Sequence, residues 1–133
     1  MTATFEFEVL RERLAIVRLA ADAAVPPWAS GEFVTVSRTR SELSIVCAQR
    51  HVPAALPCER DKVAFGIAGV VPMTTIGVLA ALCGALAQAA VPVFVISTYD
   101  TDYLLVSADR FAAAREALTA AGHRLHGDLP PRR

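Results

Sequence analysis

Residues 97–106 read Ser-Thr-Tyr-Asp-Thr-Asp-Tyr-Leu-Leu-Val, and they gather hydroxyls and carboxylates into one short stretch. A β-branched run, Val91 to Ile96, leads into it, and apolar residues leave it. The pattern predicts a hairpin whose acidic turn lies at the edge of a buried sheet. Beside the start of a helix, such a turn can hold both ends of a zwitterion. A carboxylate of the turn would take the ammonium, and the free N–H groups of the helix would take the carboxylate. Asp100 is the blander of the two aspartates, because turns favour Asp for its local backbone bonding.

The other reactive side chains form no constellation. His123 and His126 lie on a short strand pattern near the C-terminus, three residues apart, so they project to opposite faces and no metal pair is expected. Cys47, Cys58 and Cys83 are odd in number and far apart, without a Cys-x-x-Cys pair. They read as reduced thiols in a cytoplasmic protein, and neither a zinc site nor a disulfide framework is expected. Ser30 and Ser44 lack a nucleophile elbow, and His51 reads as a loop histidine. Gly66-x-x-Gly69 lacks the third glycine and the later acid of a dinucleotide fingerprint. The expectation is a protein without catalytic activity and without a cofactor or metal.

These residues need a frame, and the chain supplies short strands and two helices. Strands are expected at Leu14–Leu19, 33–38, 43–48, 63–69, 93–97 and 103–107, with a closing edge strand at 123–126. Pro26-Pro27-Trp28-Ala29 reads as a turn or a stub of helix, and 49–61 as a connector. The main helix is expected from Thr74 or Thr75, with Thr74 as N-cap, to Ala90. Ile76, Leu79, Leu82 and Leu86 would form its buried stripe. A second helix spans Asp109 to Ala121, capped by Gly122. Two arginines after Pro130 and Pro131 read as a frayed tail.

Composition bounds the partners. The chain has 133 residues, 54% hydrophobic and 20% charged, so a core is available. Thirteen basic residues balance thirteen acidic ones, and Lys62 is the single lysine. No basic cluster is present to grip phosphates, so nucleic acid is not an expected partner. Residues 63–99 carry no charge, and Thr74 to Ile96 is long enough to span a bilayer. Gly77, Gly84, Gln88 and Pro92 interrupt that stretch, and Val91, Val93, Val95 and Ile96 suit a strand. A buried helix followed by a buried strand is expected, with no membrane span. The first residues, Met1-Thr-Ala-Thr-Phe-Glu, have no basic segment before an apolar run, so no signal peptide is expected.

Phe33 to Val46 also aligns without gaps on Val93 to Val106, an offset of 60 that pairs Ser37 with Ser97 and Glu42 with Asp102. Two hairpins of one design suggest two related βαββαβ modules.

Three stretches, Glu42-Leu-Ser-Ile-Val-Cys47, Gly77-Val-Leu-Ala-Ala-Leu82 and above all Ser97 to Val106, resemble the ACT domain. The order of elements over residues 5 to 126 does so too. The particular resemblance is to tandem-ACT proteins related to the CASTOR-type amino-acid sensors and their small bacterial relatives. It implies an α+β fold of two ferredoxin-like βαββαβ modules packed side by side, at 5–60 and 61–126, the first with a shortened first helix. Some strand exchange between the halves is expected, since residues 5–10 must pair somewhere. The resemblance further implies a ligand-sensing regulatory module, a small-molecule ligand such as an amino acid, and a homodimer. The ligand-binding positions it implies are Met73, Thr74, Thr75 and Leu79, then Val93 on the intervening strand, then Thr98, Tyr99 and Asp102 on the hairpin. The arginine sensors carry an acidic pair in the loop where this chain has Thr74-Thr75, so a ligand with an uncharged side chain is expected. The alternative is a structural module that pairs sheet edges with itself or with an enzyme and has a degenerate ligand site.

Overall fold

A computed structural model describes residues 3–132; Met1, Thr2 and Arg133, part of the N-terminal stretch and tail considered above, lie outside them. The described chain forms eight strands and two α-helices, an α+β fold of the ferredoxin-like, ACT type. It divides into two compact units, one of residues 3–11 with 63–129 and one of Glu12–Lys62 with 130–132.

The unit of Glu12–Lys62 contains β2 (Leu14–Leu19), β3 (Thr35–Arg38), β4 (Leu43–Ala48) and the first residues of β5 (Glu59–Ile67). β4 lies between β3 and β2, antiparallel to both, and β2 pairs next with Glu59 and Lys62 of β5. Ala15, Val17, Leu43, Ile45 and Cys47 alternate onto one face and form its core, with Val52 covering them and Trp28, Leu56 and Cys58 at the margin. The shortening of the first helix goes further than expected. Residues 20–34 hold only turns, and a three-residue 3₁₀ turn at Gln49–His51 replaces the second helix. Pro26 and Pro27 remove two backbone donors from that segment, which leaves a helix there little to build on.

The other unit contains β1 (Glu6–Val9), the rest of β5, α1 (Val78–Gln88), β6 (Phe94–Ser97), β7 (Asp102–Ser107), α2 (Phe111–Ala120) and β8 (Arg124–His126). Its strands run in the order β8-β1-β5-β7-β6, which leaves β6 at an edge. β1 lies antiparallel to β5 and parallel to β8. The N-terminal residues expected in a 5–60 module thus join the later unit. Their apolar members explain why: Phe7 and Val9 enter the same core as Phe65, Ile67, Leu82, Leu86, Leu104 and Val106.

Helix α2 ends as the sequence predicts. Gly122 takes φ 97°, its N–H donates to the Thr119 carbonyl, and His123 N–H donates to the Leu118 carbonyl. These are the two bonds of a Schellman motif. Helix α1 does not begin where expected. It starts at Val78 after Gly77, a left-handed residue (φ 82°), and it ends at Gln88. Leu82 and Leu86 are fully buried and Leu79 is half-buried against the core, but Ile76 is 96% exposed. Val78 takes the buried place that Ile76 was expected to fill.

The tail is not frayed over the described residues. Pro130 is buried, and its carbonyl accepts from Arg13 Nε at 2.9 Å. Arg13 also donates to Asp61 Oδ1 at 3.0 Å, an oxygen shared with Gln49 Nε2 at 3.0 Å. These bonds, Gln49 foremost, hold the Asp61 carboxyl below its usual range.

Candidate functional site

Strand register decides where Asp102 points. It pairs with Ser97, and along β7 it shares a face with Leu104 and Val106, both buried in the core that the helices cover. Asp102 therefore extends a core-facing row into the space at the end of the strand. Ser97 Oγ donates to its Oδ1 at 2.5 Å. The turn between the strands is closed by Thr98 N–H to the Thr101 carbonyl, 2.8 Å, with the Thr98 hydroxyl bonding the same residue. Thr101 is buried, and its hydroxyl donates to the Ile67 carbonyl at 2.8 Å, tying the hairpin to the end of β5.

The hairpin of the other unit has the same construction, and it corrects the repeat. There Thr39 N–H donates to the Glu42 carbonyl, and the Thr39 hydroxyl accepts from the N–H groups of Ser41 and Glu42. Thr39 thus corresponds to Thr98, an offset of 59, not 60. Glu42 corresponds to Thr101, and the counterpart of Asp102 is Leu43, which is fully buried. An ungapped comparison was drawn to the matching Ser37 and Ser97, which the turn bonds place one residue out of step. A charged group at Asp102 therefore stands where the related hairpin has a core side chain.

Between this hairpin, the loop after β5 and the first turn of α1 lies an open cleft of about 360 Å³. Ligand pockets run from about 300 to 1,000 Å³, so this one suits a small molecule. Val71 N–H donates to the Asp100 carbonyl at 2.7 Å and fixes the loop to the hairpin turn. Met73, Thr75, Leu79, Thr98, Tyr99 and Asp102 line the cleft. Thr74 does not line it, and Val93 instead packs against the core. Thr98 serves chiefly to close the turn. Ser97, Thr101, Gly77 and Ala80 also line the cleft and were not anticipated.

The electrostatics are simple. Among the described residues, Asp102 is the one charged side chain lining the cleft. Opposite the hairpin, α1 begins with no side-chain cap and no acidic residue in its first turn. The first N–H groups of a helix have no intrahelical acceptor, and they carry the positive end of its dipole. One wall offers a negative charge and the other offers N–H donors. Among the described residues no group of His, Cys, Asp or Glu could hold a metal ion. No helix of the described residues is long and apolar enough to cross a membrane.

The Ser30–His51 contact, 2.9 Å, is not a catalytic pair. His51 Nε2 faces an Arg50 N–H, a donor, which makes Nε2 the acceptor and leaves the ring proton on Nδ1. Nδ1 then donates towards the Ser30 carbonyl, while the Ser30 hydroxyl donates to the Trp28 carbonyl. Neither group is free to take a proton from the other.

Residues 58–120 match the ACT domain family model, a span that holds the whole cleft. Residues 12–55 match a second family model, described only as an N-terminal domain. No curated protein matches the chain. Among solved structures, protein Atu0741 of Agrobacterium tumefaciens is 29% identical, with a TM-score of 0.90 over 99% of this chain and 100% of that one. Protein VC0802 of Vibrio cholerae is 19% identical, with a TM-score of 0.70 over 88% and 89%. The regulatory subunit of aspartate kinase from Thermus flavus is 16% identical, with a TM-score of 0.61 over 90% and 99%. The last two likenesses are of fold.

Proposed function

We propose that this protein is a regulatory module that binds a free amino acid with an uncharged side chain in the cleft between α1 and the β6–β7 hairpin, and that it performs no covalent chemistry. The two units are read as a tandem of ACT modules similar to the CASTOR-type sensors, acting as a cytoplasmic homodimer. The observation that carries the reading is Asp102 on one wall facing an uncapped helix start on the other. The ammonium binds the Asp102 oxygen that Ser97 leaves free, and the carboxylate accepts N–H groups of the first turn of α1. Met73, Leu79 and Tyr99 supply the surface for the side chain. A second charge on the ligand would find no opposite charge among the lining residues, which argues against arginine, lysine or glutamate. The likeness in fold to the regulatory subunit of aspartate kinase supports a regulatory role.

A second reading has its own observation. Among the described residues β6 pairs with β7 alone, with Phe94 and Tyr99 exposed beside its other edge, and such an edge accepts another strand. In that case the protein is a pairing module, joining a second copy or an enzyme. Calorimetric titration with a panel of amino acids, repeated on Asp102→Asn, separates the two. Binding that the variant loses supports the ligand site. Absence of binding to the whole panel, together with a dimer by sedimentation, supports the pairing module.

A further inference from the structure

Three consecutive residues of the hairpin each hold a different part of the cleft. The Asp100 carbonyl accepts from Val71 N–H at 2.7 Å and so holds the loop wall. The Asp102 carboxylate lines the cleft itself. Between them, the backbone of Thr101 turns inward on the hairpin. Its N–H donates to the Thr98 hydroxyl at 3.3 Å, and its carbonyl accepts from Thr98 N–H at 2.8 Å. The side-chain hydroxyl alone is left to reach across to β5, where it donates to the Ile67 carbonyl at 2.8 Å in a buried setting. Ile67 is a firm anchor: it lies in the core, and on the far side of β5 the N–H of the next residue, Ala68, donates to the Glu6 carbonyl at 2.9 Å. Asp102 is therefore held from one side by the neighbouring Thr101 and from the other by its pairing with Ser97.

We infer that Thr101 is the positioning residue of this cleft. It acts through Asp102 and through the Asp100 carbonyl, its own hydroxyl being committed to Ile67, and it sets the spacing between the carboxylate and the loop wall. The inference rests on the cleft being the ligand site proposed above. Its physical basis is what the turn does without that hydroxyl. The Ile67 carbonyl then loses a buried donor, and it recovers one only if water enters or residues 98–101 swing away from β5. Either motion carries the residues on both sides of Thr101 with it, so both walls of the cleft shift together. A charge-assisted bond from an ammonium to Asp102 weakens steeply as its distance and angle drift. The hydroxyl of Thr101 thus preorganises a contact that it does not make.

Thr101→Val removes the donor and keeps the β-branched shape, whereas Thr101→Ser keeps the donor. Amide hydrogen exchange of Val71 and Thr98 is to be measured without ligand, and calorimetric titration is to be run with L-leucine, L-methionine and L-valine. For Thr101→Val the expected result is exchange faster on the order of 10-fold at both amides and affinity lower on the order of 10-fold. The α1 amides of Leu82 and Leu86 should exchange as in wild type, and Thr101→Ser should restore both properties. Leu118→Val is the control for a merely structural effect: it trims a buried side chain that does not line the cleft, so it should lower the thermal midpoint and leave affinity unchanged. Binding by Thr101→Val as tight as wild type overturns the inference. So does an affinity loss that Thr101→Ser fails to reverse or that Leu118→Val reproduces. If wild type binds none of the three amino acids, the ligand reading fails; faster exchange at Val71 and Thr98 in Thr101→Val then still supports Thr101 as the residue that fixes the turn, and unchanged exchange overturns that as well.

Discussion

His123 gives the stability a calculable dependence on pH. The ring is 4% exposed, stacked on Phe5 and edge-on to Phe7. Its Nδ1 accepts the Phe5 N–H at 3.0 Å, so the proton resides on Nε2 and the ring is neutral. Burial pushes its pKa below 6.5, the ordinary histidine value. The unfolded chain keeps that ordinary value, so on acidification it binds a proton that the folded chain refuses. Stability is therefore full above neutrality, falls as pH drops through 6.5, and levels off once the folded-state pKa is passed. Each pH unit by which burial depresses this pKa removes about 1.4 kcal/mol of stability once the folded-state pKa is passed. At a urea slope of roughly 1.5 kcal/mol/M, that lowers the unfolding midpoint by on the order of 1 M. The assay is urea unfolding of wild type and His123→Asn at about pH 7.5 and about pH 5.5; the asparagine carbonyl can still accept the Phe5 N–H. Other titrating groups cancel in the difference between the two proteins. Equal pH slopes for wild type and His123→Asn would refute the assignment of a buried neutral ring.

Asp102→Ala should abolish amino-acid binding by calorimetry while changing the thermal midpoint little, because the side chain bonds the exposed Ser97 hydroxyl and not a buried group. Leu82→Ala should cost about 3–5 kcal/mol in denaturant unfolding, since the side chain is fully buried, whereas Ile76→Ala should stay within about 0.5 kcal/mol in the unliganded protein. Arg13→Met should cost about 1–3 kcal/mol, because it leaves the Pro130 carbonyl and a shared oxygen of Asp61 short of a donor; hydrogen exchange should rise in the last residues of the chain.

The fold was legible where periodicity is strong. β2, β4, β7 and α2 with its Gly122 cap follow from alternation, helical spacing and one glycine. The start of α1 was not, because Thr74 and Ile76 satisfy every local rule for a helix, while the left-handed state of Gly77 is invisible to pattern. The tail misled for a similar reason: two prolines and two arginines look like loose chain, and only the distant Arg13 and Asp61 hold it. Of the cleft, the hairpin's acidic turn was readable from residue types. Val93 was misplaced because an apolar residue entering a strand looks alike whether it faces a cleft or a core. The role of Thr101 depends on a hydrogen bond to Ile67, thirty-four positions away, and no local signal carries that.

The position of β1 bears on how the protein is made. The bond from Phe5 N–H, just before the strand, reaches a histidine 118 residues further on. At about 5–20 residues per second of synthesis, that partner arrives roughly 6–24 seconds later. Meanwhile Glu12–Lys62 has all the strands of its own unit and can fold while the ribosome is still at work. Phe7 and Val9 wait as a sticky unpaired ribbon until β5 offers them a neighbour, and β8 closes the other side last. A nascent chain stalled before Arg124 would hold β1 with one flank open. Translation pausing between β7 and Arg124 should thus be the interval most exposed to aggregation and most dependent on chaperones.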